Sequence, residues 1–281
     1  MRLRNSRSAI VAGVVLVLAL ATTTAAASDG ALRVCADPNN LPFSNSAEAG
    51  FENKLAALVA AHFGEKVSYT WWAQRRGFIR NTLKADKCDV VMGVPAGYDL
   101  VETTRPYYRS TYVFVTRQDR QLDLSSLIDP RLHSLTIGVH LIGDDGNNPP
   151  PAQALGEQGI VDNLRGYSIY GDYREANPPA RLIEAVEHGD IDVAAAWGPL
   201  GGYFAQHSPV PLTVTPIRDT ERFAPQQFQF AIAMGVRKGD HALRDRLNAF
   251  IDEHRSEINA LLRSYGVPLV ELPVTASGGQ Q

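Results

Sequence analysis

The chain has 281 residues, 44% of them hydrophobic and 20% charged, with 27 lysines and arginines against 30 aspartates and glutamates. A formal charge of -3 argues against nucleic acid as a partner and offers no basic surface to anionic lipid. The length exceeds what a single hydrophobic core usually spans, so two lobes are expected, the alternative being a barrel of this length.

Arg2, Arg4 and Arg7 precede an apolar run from Ala9 to Leu20 and the small residues Ala25-Ala26-Ala27, the pattern of a secretion signal over 1–27. The apolar run is short for a membrane span. Without those three arginines the balance becomes 24 basic against 30 acidic, a formal charge of -6. The mature chain is expected to be soluble and exported to the periplasm.

Leu32–Ala36 (LRVCA) is a short apolar run ended by Asp37-Pro38-Asn39-Asn40, which predicts a buried strand followed by a turn. Phe51, Leu55, Leu58, Val59 and Phe63 then fall on one helical face, and Gly64 suits the left-handed position past its end. Strand, polar loop and covering helix make the first unit of an open α/β sheet. Ligands of such sheets sit at the carboxyl ends of strands, so Asp37 to Phe43 is expected to face a cleft.

Val67–Trp72 reads as a second strand, Phe78–Ala85 as a short helix and Cys88–Val94 as a third strand, apolar enough to be covered on both faces. Thr104–Thr116 opens on a proline turn and continues as an aromatic strand that leaves the first lobe. The same order of elements then recurs. Leu135–His140 is a strand, Leu141–Asn148 a polar loop, Ala152–Gln158 a helix after three prolines, and Tyr167–Tyr170 a strand. Asn177-Pro178 opens a helix running to His188, and Ile191–Ala196 is a strand stopped by Trp197-Gly198-Pro199. The chain returns through a strand, Phe228–Arg237, and one long helix from Asp240 to near Gly266, which must pack on an existing lobe. The polar tail from Val274 reads as disordered, most clearly over 276–281.

Cys35 and Cys88 belong to strands expected to be neighbours, which predicts a disulfide; the alternative is a pair of buried thiols packed as small hydrophobes.

The segments LRVCADPNNLPF, GFENKLAALVA, CDVVMGVP, PYYRSTYVFVTR, GDIDVAAAW and FAIAMGVRKGD resemble family 3 of the type II periplasmic solute-binding proteins. The resemblance implies an α/β, bilobed fold of two open α/β lobes joined by a two-strand hinge. It places the first lobe at 28–108 and 232–275, the second at 112–228, and the hinge at 109–111 and 229–231. Members that clamp an amino acid carry an arginine where counting back from Glu102 finds Gly97, and an acid where counting on from Asp192 finds Trp197. A buried zwitterion needs both charges answered, so ordinary amino-acid binding is not expected. Arg105 stands near the first position but reads as a surface or hinge arginine.

RVCADPNNLPFSN, WWAQRRGFIRNTLKADKCDVVMGVPAGYD, ETTRPYYRSTYVFVTR, DNLRGYSIYGDY and GDIDVAAAWGPLGGYFAQ together are similar to the methanol-oxidation J family, MxaJ and XoxJ, with the XoxJ branch favoured. That resemblance implies a non-catalytic accessory of a pyrroloquinoline-quinone methanol dehydrogenase, acting in assembly or activation, the lanthanide-dependent enzyme included. The partner is then the periplasmic quinoprotein or a partly folded form of it. The alternatives are a receptor delivering an unknown small solute to an ABC transporter and, from a third class, a dehydratase-like enzyme on this fold.

Nothing in the chain forms a catalytic constellation, and no cofactor is expected. His140 could face the cleft as a base but has no evident carboxylate partner. Gly143 to Asn148 offers oxygen donors yet lacks the spacing of an EF-hand, so a solvated turn is the default. Trp72 and Trp197 fall at carboxyl ends of strands in different lobes, with Asn39, Phe43, Val94, Pro95 and Pro199 on adjoining turns. These residues and His140 make the expected cleft, aromatic rather than charged, the other reading of the tryptophans being interlobe filler.

Overall fold

The computed structural model describes residues 30–141, 148–168 and 175–271. The expected signal segment and all but Asn148 of the Gly143–Asn148 loop lie outside the described residues.

The chain begins with β1 (Ala31–Ala36), the short pair β2 (Asn39–Asn40) and β3 (Ser44–Asn45), and helix α1 (Phe51–Phe63). Phe51, Leu55 and Val59 are buried on one face of α1, and Gly64, at φ 68°, caps its end by donating to the carbonyls of Ala60 and Ala61. Gly50 must be glycine because a Cβ there would overlap the Phe43 carbonyl. Next come β4 (Lys66–Trp71), α2 (Phe78–Asn81), β5 (Val90–Pro95), β6 (Glu102–Thr103) and β7 (Tyr108–Arg117). The second series is β8 (Ile137–Leu141), α3 (Pro150–Glu157), β9 (Leu164–Ser168), α4 (Arg181–His188), β10 (Val193–Trp197), α5 (Gly198–His207) and β11 (Leu212–Pro216). The return is β12 (Gln229–Val236), α6 (His241–Glu253) and α7 (Arg255–Ser264).

The strands run β4-β1-β5-β12-β7-β10-β8-β9, with β6 on β12 and β11 on β7. Each half carries the same arrangement. In the first, β1 lies between parallel β4 and β5, and β12 is antiparallel beside β5. In the second, β8 lies between parallel β9 and β10, and β7 is antiparallel beside β10. The fold is therefore the bilobed α/β arrangement of type II periplasmic binding proteins, its two lobes meeting where β7 and β12 pair through Thr111↔Gln229, Ser110↔Phe230 and Arg109↔Ala231. A core around Phe51, Met92, Met234 and Phe250 fills the first lobe, while cores around Phe114 and Leu155 and around Val113 and Val186 cover the two faces of the second.

Three features depart from the sequence reading. The predicted long terminal helix is two, broken at His254, where the backbone leaves helical values (φ -105°, ψ 18°). Trp197-Gly198-Pro199 does not open a loop; it starts α5, with proline in the first turn. The chain after α7 lies along β7 where the lobes meet: Ser110 Oγ donates to the Pro268 carbonyl at 2.7 Å and the Val270 N–H to the Arg109 carbonyl at 2.9 Å. Behind it, a Cβ at Gly202 on α5 would overlap the Gly266 carbonyl, so glycine permits that close approach of the lobes.

Cys35 and Cys88 form the expected disulfide, with Cα atoms 5.5 Å apart and both residues buried. Parallel pairing of β1 with β5, Cys35 opposite Val91, brings the two together.

Candidate functional site

Between the lobes lies a cavity of about 230 Å³ whose lining includes Phe43, Val94, Pro95, Tyr108, Tyr112, His140 and Trp197. Its aromatic wall follows from strand alternation. Tyr108 and Tyr112 are four residues apart on β7 and share a face, and β10 places Trp197 opposite Tyr112. The Trp197 ring meets Tyr112 edge-on at 5.4 Å and Phe230 at 5.7 Å, packing against the cores of both lobes.

The polar rim is built by Asp37. Its carboxylate accepts the Asn39 N–H at 2.8 Å and the Gln74 N–H at 2.7 Å, tying the end of β1 to the loop after β4. Asn40 and Gln74 thereby both reach the cavity.

A carboxyl and an imidazole face this space from different lobes. Glu52, in the first turn of α1, is buried, and burial followed by the nearby Asp37 charge pushes its carboxyl up to about 8. Gly93 makes room for it, since a Cβ there would overlap Glu52 Oε1. Their own burial, and after it the Glu52 charge, raise the Tyr107 and Tyr108 hydroxyls well above the usual phenol range. His140, near the end of β8, is pushed down to about 4 by burial, and its Nε2 lies 3.3 Å from the Pro179 carbonyl. A carbonyl only accepts, so Nε2 carries the proton and Nδ1 is left as an acceptor. At neutral pH the cavity therefore holds a protonated carboxyl, a neutral imidazole and aromatic faces, with no lysine or arginine among its described lining residues.

Phe43, Val94, Pro95, His140 and Trp197 come together here. Three other predicted residues do not line the cavity. Asn39 sits at its edge and bridges the lobes, donating from Nδ2 to the Glu175 carbonyl at 2.7 Å and accepting the Asn177 N–H at 3.1 Å. Trp72 lies outside, 38% exposed beneath Lys87, one residue past the end of β4, whose last residue Trp71 stacks on Tyr69 against the first-lobe core. Pro199 is buried in the first turn of α5 rather than presented by a loop.

The sequence reading missed Glu52, Gly93, Tyr108 and Tyr112 as lining residues. The tyrosines were detectable from their even spacing on one strand; Glu52 carried only the weak signal of an acid next to a buried helix face. Gly97, at the position of the missing arginine, lies outside the cavity lining at φ 77°. Arg105 does not substitute for it, because it pairs with Asp252 at 2.6 Å on the outer surface.

Among the described residues no helix is long and apolar enough to cross a membrane. The chain matches the bacterial extracellular solute-binding proteins, family 3, over residues 32–267. It is 35% identical over 260 residues to Protein MoxJ of Methylorubrum extorquens, covering 88% of this chain and 83% of that protein. The crystal structure of periplasmic binding protein XoxJ from Methylobacterium extorquens AM1 superposes with TM-score 0.71 and 36% identity, covering 86% of this chain and all of that one. MxaJ from Methlophaga aminisulfidivorans MPT gives TM-score 0.72 and 27% identity over 85% of this chain and all of its own. With its bilobed sheet, interlobe cavity and whole-length relatives, the chain belongs to the family 3 extracellular solute-binding proteins and, within them, to the MxaJ/XoxJ family.

Proposed function

We propose that this protein is a non-catalytic periplasmic accessory of a quinoprotein methanol dehydrogenase, taking part in its assembly or activation. Its place beside proteins named MoxJ, XoxJ and MxaJ supports that association. The lanthanide-dependent, XoxJ-type system is the branch proposed. The observation that carries the reading is the replacement at Trp197: where amino-acid receptors hold an acid for the ammonium group, this cleft presents an indole between Tyr112 and Phe230. A cavity of about 230 Å³ suits an inserted side chain or short segment. The dehydrogenase, or a partly folded form of it, is therefore proposed to insert an apolar segment between the lobes. In this reading the lobes are 28–108 with 232–275 and 112–228, turning about 109–111 and 229–231.

The test is affinity capture from the periplasm of methanol-grown cells. Wild-type protein is expected to retain the dehydrogenase, and a folded Trp197→Ala variant to lose about 2 kcal/mol of that binding or more, as for a buried aromatic anchor. Because Trp197 also packs on both cores, melting curves of the variant accompany the assay. Equal capture by both proteins would reject the cleft as the contact. No capture by either, with unchanged dehydrogenase activity in cells lacking the protein, would favour a solute receptor for an ABC transporter.

A further inference from the structure

On the outer side of the first lobe, away from the cleft, the fold brings together residues that are far apart in the chain. His62 lies in the last turn of α1, and His254 is the residue at which the terminal helix breaks. Although 192 positions separate them, His62 Nδ1 and His254 Nε2 are 3.2 Å apart. Two nitrogens bound to one tetrahedral zinc ion at about 2.0–2.1 Å lie ~3.3 Å from each other. The two imidazoles thus already have the separation that a shared metal requires.

The surroundings favour this use of the pair. The Glu257 carboxylate is 2.9 Å from His254 Nδ1 and can only accept, so that nitrogen carries the proton and Nε2 presents its lone pair toward His62. A carboxylate behind the far nitrogen is the usual support of a metal-bound histidine. Phe250 backs both rings, stacked on His254 at 4.5 Å and edge-on to His62 at 5.4 Å, which limits their rotation. Glu253 supplies an oxygen: one donor atom from each of His62, Glu253 and His254 lies within 4.8 Å of the other two. Its Oε2 is 3.9 Å from His62 Nε2, the ring nitrogen opposite the one that faces His254, so the carboxylate, on a side chain 62% exposed, must turn toward Nδ1 to share the ion.

We propose that His62, His254 and Glu253 form a binding site for a divalent transition-metal ion of the zinc class, joining α1 to the corner between α6 and α7. Two imidazoles and a carboxylate suit zinc, nickel or copper rather than calcium or a lanthanide, which prefer all-oxygen shells. The fourth position is open to water. The site is separate from the cleft and does not depend on what the cleft binds.

The experiment uses the untagged mature protein. Zinc chloride is titrated calorimetrically at pH 7.5, and cobalt(II) replaces zinc for absorption spectra. Wild-type protein is expected to bind one equivalent with micromolar affinity, to show the visible bands of four-coordinate cobalt, and to melt at higher temperature with zinc. His62→Ala and His254→Ala should each remove that site. Glu257→Gln, which keeps both imidazoles but weakens the support of His254, should lower affinity about tenfold. His207→Ala, in the other lobe, should change nothing. The inference is overturned if wild-type protein binds no zinc below millimolar concentration, or if the His62→Ala/His254→Ala double variant binds zinc as wild type does.

Discussion

The Asn39 side chain spans the mouth of the cleft to reach Asn177, accepting its backbone N–H at 3.1 Å while donating to the Glu175 carbonyl at 2.7 Å. One amide of the first lobe thus satisfies a donor and an acceptor of the second. The lobes also meet through the β7–β12 pairing in the middle and through Gly202 against Gly266 behind. Removing the two hydrogen bonds by Asn39→Ala should cost this arrangement of the lobes about 2 kcal/mol. Small-angle scattering should then report a larger radius of gyration for the variant. Identical scattering curves would show that the latch does not set the opening.

Glu52 and His140 act on stability in opposite directions. The folded state keeps the Glu52 proton up to about pH 8 while the unfolded chain releases it near 4.5, so this group's contribution is complete below 4.5 and declines as pH rises toward 8. His140 is neutral in the folded state down to about 4 and protonates near 6.5 when unfolded, so its contribution is complete above 6.5 and declines as pH falls toward 4. Each slope is about 1.4 kcal/mol per pH unit, and the two offset between 4.5 and 6.5. In urea titrations, Glu52→Gln should abolish the decline between pH 6.5 and 8. His140→Gln should extend a decline down to 4.5. A Glu52→Gln curve parallel to wild type would show that the carboxyl is ionised in the fold.

The Cys35–Cys88 bond closes a loop with a sequence separation of 53. In the chain-entropy model that constrains the unfolded state by on the order of 4 kcal/mol. The Cys35→Ser/Cys88→Ser variant should lose a comparable amount in denaturant titrations. Dithiothreitol should weaken wild type and leave the variant unchanged. Equal stability of wild type with and without reductant would refute the contribution.

Standard amino acids should not bind this cleft with micromolar affinity. The position that would hold an arginine is Gly97, outside the lining, and the position that would hold an acid is Trp197. A zwitterion entering the space would leave its carboxylate without a cation. Isothermal titration against glutamate, glutamine and arginine should show no saturable heat. A stoichiometric response to any of them would return the protein to the amino-acid receptors.

Local pattern alone determined most of the fold. LRVCA followed by a helical face from Phe51 to Phe63, and the same order again from Leu135, specify two open α/β units, because apolar period and turn residues act within a few positions. The loss of the charged clamp at Gly97 and Trp197 was equally readable by counting. What depends on long-range packing was not. Trp72 and Trp197 both fall where strands were expected to end, yet only Trp197 reaches the cavity, because β4 stops at Trp71 and the chain beyond it places Trp72 beneath Lys87. Glu52 is an ordinary acid of a first helical turn until Gly93 and the first-lobe core remove its water. His62 and His254 have no shared spacing in sequence; the break between α6 and α7 and the packing of α7 against α1 place their nitrogens 3.2 Å apart. Burial and proximity belong to the assembled fold, and these side chains acquire their chemistry only there.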